Sequence, residues 1–304
     1  MSDIASLHGR LRALGPVLDM QAVRTLYAGS GNEDVPEGMQ VLRDVAFGDD
    51  PLQRLDVYRP MQRRAGGSPV IVLVPGGGFI RGDKTERSNG GIHFARAGYL
   101  VVVPNYRLAP AHRWPAGAED VSAAWQWTLR EAGALGGDPT RIMLVGESAG
   151  ATHVATATLV RRFHPPGAPA PAGVVLISGP YDPVLERASR RQFGVATPDP
   201  RNDAYFGDDA ATLPQRALVE LIDAAPMPVL ITYAELDLLQ MQVHAGARFA
   251  RLVRQHGYAP DIAMIRDHNH LSQCFSLNTA DRSLADPIER FLATLAPRSG
   301  RPAD

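Results

Sequence analysis

Arg141-Ile142-Met143-Leu144-Val145-Gly146-Glu147-Ser148-Ala149-Gly150 is the stretch on which the reading of this chain turns. Residues 141–145 are apolar and branched enough to predict a strand, and residues 151–163 carry a helical pattern. Between them stands G-x-S-x-G, the strand–turn–helix arrangement that lifts a serine hydroxyl above a sheet. The flanking glycines, lacking a Cβ, let the strand and helix backbones approach closely. A helix opening at the serine aims N–H groups at developing negative charge. An incidental serine in a tight turn would spell the same five residues; the flanking strand and helix separate the two readings.

Working outward, short apolar runs recur between helical patterns. Residues 41–47 and 54–58 alternate and predict an antiparallel entry pair. Residues 70–74, 100–103, 142–145, 174–177, 229–233 and 261–265 read as buried strands. Such continuous runs suit a parallel sheet covered on both faces. Helices are expected between them. In 118–132, Val121, Ala124, Trp125, Thr128 and Leu129 recur on one helical face, with Glu119 and Asp120 in the first turn, where the dipole favours negative charge. Residues 239–255 and 280–295 behave alike. The expectation is an α/β fold: a mostly parallel eight-stranded sheet flanked by helices. Residues 41–304 would form the catalytic domain. Residues 1–40 look helical and then loose, with Gly29, Gly31, Asn32, Pro36 and Gly38 marking a linker, and are expected to join the cap. Residues 180–226 exceed what a crossover needs and read as an inserted cap. Their aromatics, Tyr181, Phe193, Tyr205 and Phe206, are expected to line an apolar pocket. The Pro-rich residues 165–171 read as a loop.

The 304 residues are 45% hydrophobic and 21% charged, an ordinary globular balance. A formal net charge of −1, with scattered arginines and Lys84 as the sole lysine, provides no field that selects nucleic acid or an anionic membrane. No apolar run is long enough to span a bilayer. Asp3, His8, Arg10 and Arg12 interrupt the first twenty residues, so no secretory leader is expected. Cys274 has no partner for an intrachain disulfide, which points to a reducing compartment, the cytoplasm. The oligomeric state is left open, a homodimer included.

A second glycine signal, Pro75-Gly76-Gly77-Gly78-Phe79, follows the strand at 70–74. The N–H groups of Gly77 and Gly78, with that of Ala149, could form an oxyanion hole. A phosphate loop is the rival reading. Gly77 and Gly82 have its spacing, but Asp83 intervenes before Lys84-Thr85 and breaks the pattern. A nucleophilic serine needs a base. His268 and His270, just past the last strand, lie late in the chain where a serine–acid–histidine order places it. His270 is favoured, with His268 as alternative. A metal held by this pair would need further ligands, for which Asp267 and Cys274 are candidates; none is expected. His93, His153 and His244 lie in helical patterns and read as packing or surface residues. Asp237, after the strand at 229–233, is the favoured acid. Glu235 competes locally. Asp182 competes from the preceding strand, though Asp182-Pro183 reads better as a helix N-cap followed by proline.

These residues together identify a resemblance. The anchors are Gly76–Phe79 with Gly82-Asp83-Lys84, Asn105-Tyr106-Arg107-Leu108-Ala109-Pro110, Trp114-Pro115-Ala116, Gly146–Gly150, Glu235-Leu236-Asp237 and His268–Ser272. Over roughly residues 44–295 the chain resembles the hormone-sensitive-lipase-like bacterial carboxylesterases of the α/β-hydrolase superfamily. The resemblance implies hydrolysis of small esters with short- to medium-chain acyl groups, no cofactor, and a cap over the site. It implies Ser148 as nucleophile, Asp237 as acid, His270 as base, and Gly77, Gly78 and Ala149 as oxyanion donors. Pro75 departs from the usual histidine before the glycines. The Gly-Asp-Lys and His-x-His-Leu-Ser pieces lean towards feruloyl-esterase-like and arylformamidase-like branches. An amidase or arylformamidase with the same triad, and a non-catalytic binder on the same fold, are the alternative readings.

Overall fold

The computed structural model of the chain describes residues 4–30, 33–62, 64–224 and 226–295. Gly31 and Asn32 of the expected linker, and residues 296–304 of the expected catalytic domain, lie outside the described residues. Two helices, α1 (Ile4–Leu14) and α2 (Met20–Tyr27), precede the sheet. Eight strands follow: β1 (Val41–Ala46), β2 (Arg54–Tyr58), β3 (Ser68–Val74), β4 (Leu100–Pro104), β5 (Gly137–Glu147), β6 (Gly173–Ile177), β7 (Val229–Leu236) and β8 (Asp261–Asn269). Their spatial order is β1-β2-β4-β3-β5-β6-β7-β8. The pairs β1/β2 and β2/β4 are antiparallel, and the other pairs are parallel. The eight strands expected from the sequence are all present.

The order determines where a site can form. From β3 the chain moves outward to β4, then crosses back over β3 to β5 and continues the other way. The loops leaving β3 and β5 therefore diverge, and a crevice opens between them at the strands' carboxyl ends. Val74 pairs with Gly146, so the glycine loop after β3 and the serine after β5 emerge side by side.

Side chains alternate across the sheet with the two-residue period of a strand. Val70, Val72, Leu144, Val174 and Ile231 face α4 (Ala116–Glu131), α5 (Ala149–Leu159) and α9 (Leu239–His256), meeting Trp125, Val154 and Leu252. Ile71, Leu73, Met143, Val145 and Val175 face α3 (Ser88–Arg96) and α11 (Ala285–Thr294), meeting Ile92, Phe94, Ile288 and Phe291. Burying each such side chain contributes about 1.5–3 kcal/mol, which makes the sheet the rigid platform of the molecule.

Three expectations need correction. β8 is an edge strand, not a buried one; Ile262 and Met264 are exposed because nothing pairs beyond it. Asp120 lies beyond the first turn of α4, which begins at Ala116 and has Glu119 as its first-turn acid. It is buried and accepts from Arg107 N at 2.7 Å and Gln53 Nε2 at 2.7 Å, tying α4 to the loop after β4. The helical stretch at 280–295 begins later, at Ala285, and is preceded by a short helix α10 (Ser272–Phe275).

The segment 180–226 folds into α6 (Pro183–Gln192), α7 (Pro200–Phe206), a 3-10 turn (Leu213–Arg216) and α8 (Leu218–Leu221). Asp182 does cap α6: Oδ1 accepts from Val184 N at 2.8 Å and Leu185 N at 3.0 Å, with Pro183 in the first turn. At the other flank, Leu7, Leu11, Val23 and Tyr27 of α1 and α2 pack on Leu271 and Phe275, beside the end of β8. No helix among the described residues is long and apolar enough to cross a membrane.

Candidate active site

Ser148 caps α5 with φ 51° and ψ −120°, a backbone conformation that L-residues avoid. Such strain costs about 1–3 kcal/mol and persists only where neighbours over-determine it. Here they do. A Cβ on Gly146 would lie 2.5 Å from Gly150 O, and one on Gly150 would lie 2.4 Å from Val74 O. Both glycines are therefore required by the close crossing of β5, β3 and α5. Ser148 N donates to Ile177 O at 2.8 Å, fixing the turn to β6.

The turn aims the hydroxyl at one of the two late histidines. Ser148 Oγ lies 2.9 Å from His270 Nε2. His270 Nδ1 lies 2.8 Å from Asp237 Oδ1. Asp237, buried after β7, also accepts from Leu238 N at 3.0 Å and from Ser178 Oγ at 2.5 Å. Gln273 Nε2 donates to Ser178 Oγ at 2.7 Å and His270 O at 3.2 Å, so one amide ties the loop of the base to the serine after β6 that donates to the acid. Burial would lower the His270 pKa; the charge of Asp237, then its hydrogen bond, outweigh burial and raise it above the ordinary 6.5.

His268 goes elsewhere. Its Nε2 lies 3.1 Å from Asp281 Oδ2 and its Nδ1 lies 3.1 Å from Ser272 Oγ. His8 Nε2 reaches the same Asp281 oxygen at 2.9 Å. These three side chains are the group among the described residues that could hold a metal ion. His8 is hydrogen-bonded to the Asp281 carboxylate and His268 lies at ion-pair distance from it, an arrangement that accounts for the cluster as it stands. His268 and His270 therefore share no ligand sphere, and Cys274 is not part of the cluster. Glu235 instead accepts from Asp267 N at 2.9 Å, bracing the loop before the histidines. His93, His153 and His244 are buried in helices. His153 sits edge-on to Phe79, Tyr106 and Tyr205, where burial pushes its pKa down to about 3 and keeps it neutral.

The glycine loop lies against the elbow. Gly77 has φ 142° and Gly78 φ 59°, and a Cβ on Gly77 would lie 1.8 Å from Arg81 O. The N–H groups of Gly77, Gly78 and Ala149 donate to no other group of the described residues. The loop is steadied without a histidine at position 75. Tyr106 Oη lies 3.2 Å from Pro75 O and 3.3 Å from Gly76 O, within donating distance of both. Gly76 N donates to Glu147 Oε2 at 3.4 Å. Glu147, the variable residue of the pentapeptide, is buried in a two-pronged ion pair with Arg87, whose Nη2 donates to Oε1 at 2.5 Å. Burial would raise the Glu147 carboxyl; the Arg87 charge and hydrogen bonds outweigh it and hold the carboxyl below its usual range.

The cavity over Ser148 has two lobes that share Ser148, Gly78, Arg201 and His270. One, bounded by Phe79, Leu238 and Met241, leaves about 30 Å³. The other, bounded by Met20, Arg81 and Leu271, leaves about 90 Å³. Tyr181, Phe193, Tyr205 and Phe206, expected at this wall, do not line it. Tyr205 stacks on Phe79 at 4.5 Å and Phe206 packs edge-on beside them, so these rings anchor the insertion to the sheet. Tyr181 lies under Arg248, whose guanidinium carbon is 4.5 Å above the ring. The insertion contributes charged groups instead: Glu186, Asp199 and Arg201. Sequence reasoning missed Ser178, Gln273, Arg87 and Arg201, which no local motif marks.

A family profile described as alpha/beta hydrolase fold matches residues 71–273. The esterase LipC of Mycobacterium tuberculosis is 35% identical over 148 residues, which are 46% of this chain and 37% of that protein. The chain thus spans little more than a third of that relative's length. The ethyl acetate hydrolase of Pseudomonas putida is 27% identical over 303 residues, covering 91% of this chain and 93% of the relative. A solved esterase of the bacterial hormone-sensitive lipase family superimposes with a TM-score of 0.69 at 24% identity, covering 99% of this chain and 100% of that one. With two-thirds of its length matched by the family profile and the strand order and elbow described above, the chain belongs to the α/β-hydrolase fold family.

Proposed function

We propose that this chain is a serine carboxylesterase in which Ser148 is the nucleophile, His270 the general base and Asp237 the orienting acid. The observation that carries the reading is the unbroken path from Ser148 Oγ through His270 to Asp237, at 2.9 and 2.8 Å. In the first step His270 Nε2 takes the hydroxyl proton as Oγ attacks the ester carbonyl carbon. The carbonyl oxygen becomes an oxyanion and meets the N–H groups of Gly77, Gly78 and Ala149, which have no competing acceptor. The imidazolium, stabilised by Asp237, protonates the departing alkoxide as the C–O bond breaks. Water then repeats the cycle on the acyl-enzyme, returning the acid and free Ser148.

The names of two similar proteins, an esterase and an ethyl acetate hydrolase, support ester chemistry. Residues of the N-terminal segment (Leu18, Met20) and of 180–226 (Arg201, Asn202) line the cavity, which supports the reading of both segments as its cap. The small lobe bounds the acyl group. One water needs about 10–15 Å³ of such room, so about 30 Å³ takes only a few non-hydrogen atoms, and short acyl chains fit best. A p-nitrophenyl ester series from acetate to decanoate tests this. The wild type should favour the short members, and Ser148→Ala should lose about 10⁵–10⁶-fold in kcat. A Ser148→Ala variant with near wild-type rates would overturn the proposal.

A further inference from the structure

The mechanism above gives no task to the one cation that lines both lobes of the cavity. Arg201, in α7, lines both lobes together with Ser148 and His270. Its Nε and Nη2 donate to the two oxygens of Asp199 at 3.0 and 2.6 Å. That two-point clamp fixes the guanidinium plane and leaves Nη1 without a partner among the described residues. Nη1 lies against the glycine loop: a Cβ on Gly78 would be 3.6 Å from it and 3.0 Å from Arg201 Cδ. Both residues line the small lobe, but the Arg201 side chain is 33% exposed and that of Asp199 5%, so the cation is the more accessible of the two.

Asp199 does not cancel Arg201 alone, because Arg190 Nη1 also donates to it at 3.1 Å. Glu186, the next acid, is engaged by Arg190 and by His244 Nε2 at 2.9 Å. On the other wall Glu147 is matched by Arg87, and half-buried Glu86 and exposed Arg81 also line the larger lobe. Arg201 Nη1 is therefore an unused charged donor on a residue that lines both lobes beside Ser148, whereas Arg81 lines only the larger one. An alkyl chain entering there would strip its water and replace no hydrogen bond, which costs free energy. A carboxylate would replace the water with a charge-assisted bond.

We propose that the physiological substrate is an ester bearing a carboxylate a few bonds from the scissile carbonyl, bound by Arg201 as the specificity-determining residue. This rests on the esterase reading. It has a chemical corollary: the charge of Arg201 opposes that of Asp237 at His270, so a bound carboxylate also makes the imidazole a stronger base.

The test compares kcat/KM by pH-stat for two matched pairs. Methyl hydrogen glutarate against methyl hexanoate places the charge on the acyl side. The butyryl ester of glycolate against propyl butyrate places it on the alcohol side. At least one charged ester should be preferred about tenfold or more, and Arg201→Gln should reduce that ratio at least about tenfold, whatever its absolute rates. Arg201→Lys should keep part of the ratio. If Arg201→Gln does not fold, the wild-type ratio at low and high salt decides: a preference that shrinks with salt supports Arg201. A ratio near one in both pairs, or one that survives Arg201→Gln or is indifferent to salt, overturns the proposal. Hydrolysis of p-nitrophenyl butyrate, lost in Ser148→Ala, is scored in parallel, so failure of this inference is distinguishable from failure of the esterase reading.

Discussion

His268 and His270 flank Asn269 at the end of β8, are both buried, and each meets a buried carboxylate. Their surroundings nevertheless make them opposites. His270 has Asp237 on Nδ1, and on Nε2 a serine hydroxyl that opens into the cavity. His268 has Asp281 on Nε2, and on Nδ1 the hydroxyl of Ser272, which also accepts from Asn269 N at 3.0 Å. The second serine is buried, locked into the backbone of its own turn, and lines neither lobe of the cavity over Ser148. Asp281 in turn ties His8 of α1 to the sheet. The same three residue types thus make a proposed proton relay in one direction and a structural clasp in the other. Neither residue type nor burial separates them. What does is whether the hydroxyl can reach a substrate.

The widest gap between the two should appear on removing each imidazole. His270→Asn should lower kcat/KM on p-nitrophenyl butyrate by about 10⁵-fold, since the nucleophile loses its base. His268→Asn should stay within about tenfold of wild type in rate and instead lose about 1–3 kcal/mol in urea unfolding. Equal losses of activity from both would erase the distinction.

The acids should divide in the same way. Asp237→Asn should cost about 10⁴-fold in kcat. It should also move the rising limb of the pH–rate profile. The wild-type limb reflects loss of the imidazole proton, with its midpoint above the ordinary histidine value because Asp237 favours the cation. Without that charge burial dominates, and the midpoint should fall. An unmoved midpoint would detach Asp237 from His270.

Asp281→Asn should have the smallest effect on rate and a measurable one on stability, about 2–3 kcal/mol at neutral pH. The sign follows from its titration. Burial would raise the Asp281 carboxyl, but hydrogen bonds and charge from His268, with further bonds from Ser283 and His8, hold it well below the usual carboxylate range. Its contribution is present above the unfolded value near 3.8 and is lost as pH falls through the folded one. The gap between wild type and Asp281→Asn should therefore narrow on acidification below about pH 4. A gap that widens would contradict the clasp.

The same contrast explains what was legible in the sequence. The strands could be read because buried ones spell unbroken apolar runs, as in Ile71–Leu73 and Val101–Val103. The elbow could be read because Gly146 and Gly150 are sterically obligatory. Choosing between His268 and His270 needed the ends of β7 and β8 in space. Ser178, Gln273 and Arg87 were silent because each acts across a long sequence separation, as Arg87 does on Glu147. Tyr205 and Phe206 misled because an aromatic in an insertion can face the cavity or the sheet, and stacking on Phe79 turned them to the sheet.

Intact-mass and peptide analysis after reaction with a fluorophosphonate probe bears most directly on the serine–histidine pairing. The expected result is one adduct, on Ser148, formed at near wild-type speed in His268→Asn, orders of magnitude more slowly in His270→Asn, and not at all in Ser148→Ala. An adduct that persists in Ser148→Ala, or that slows with His268 and not with His270, would contradict it.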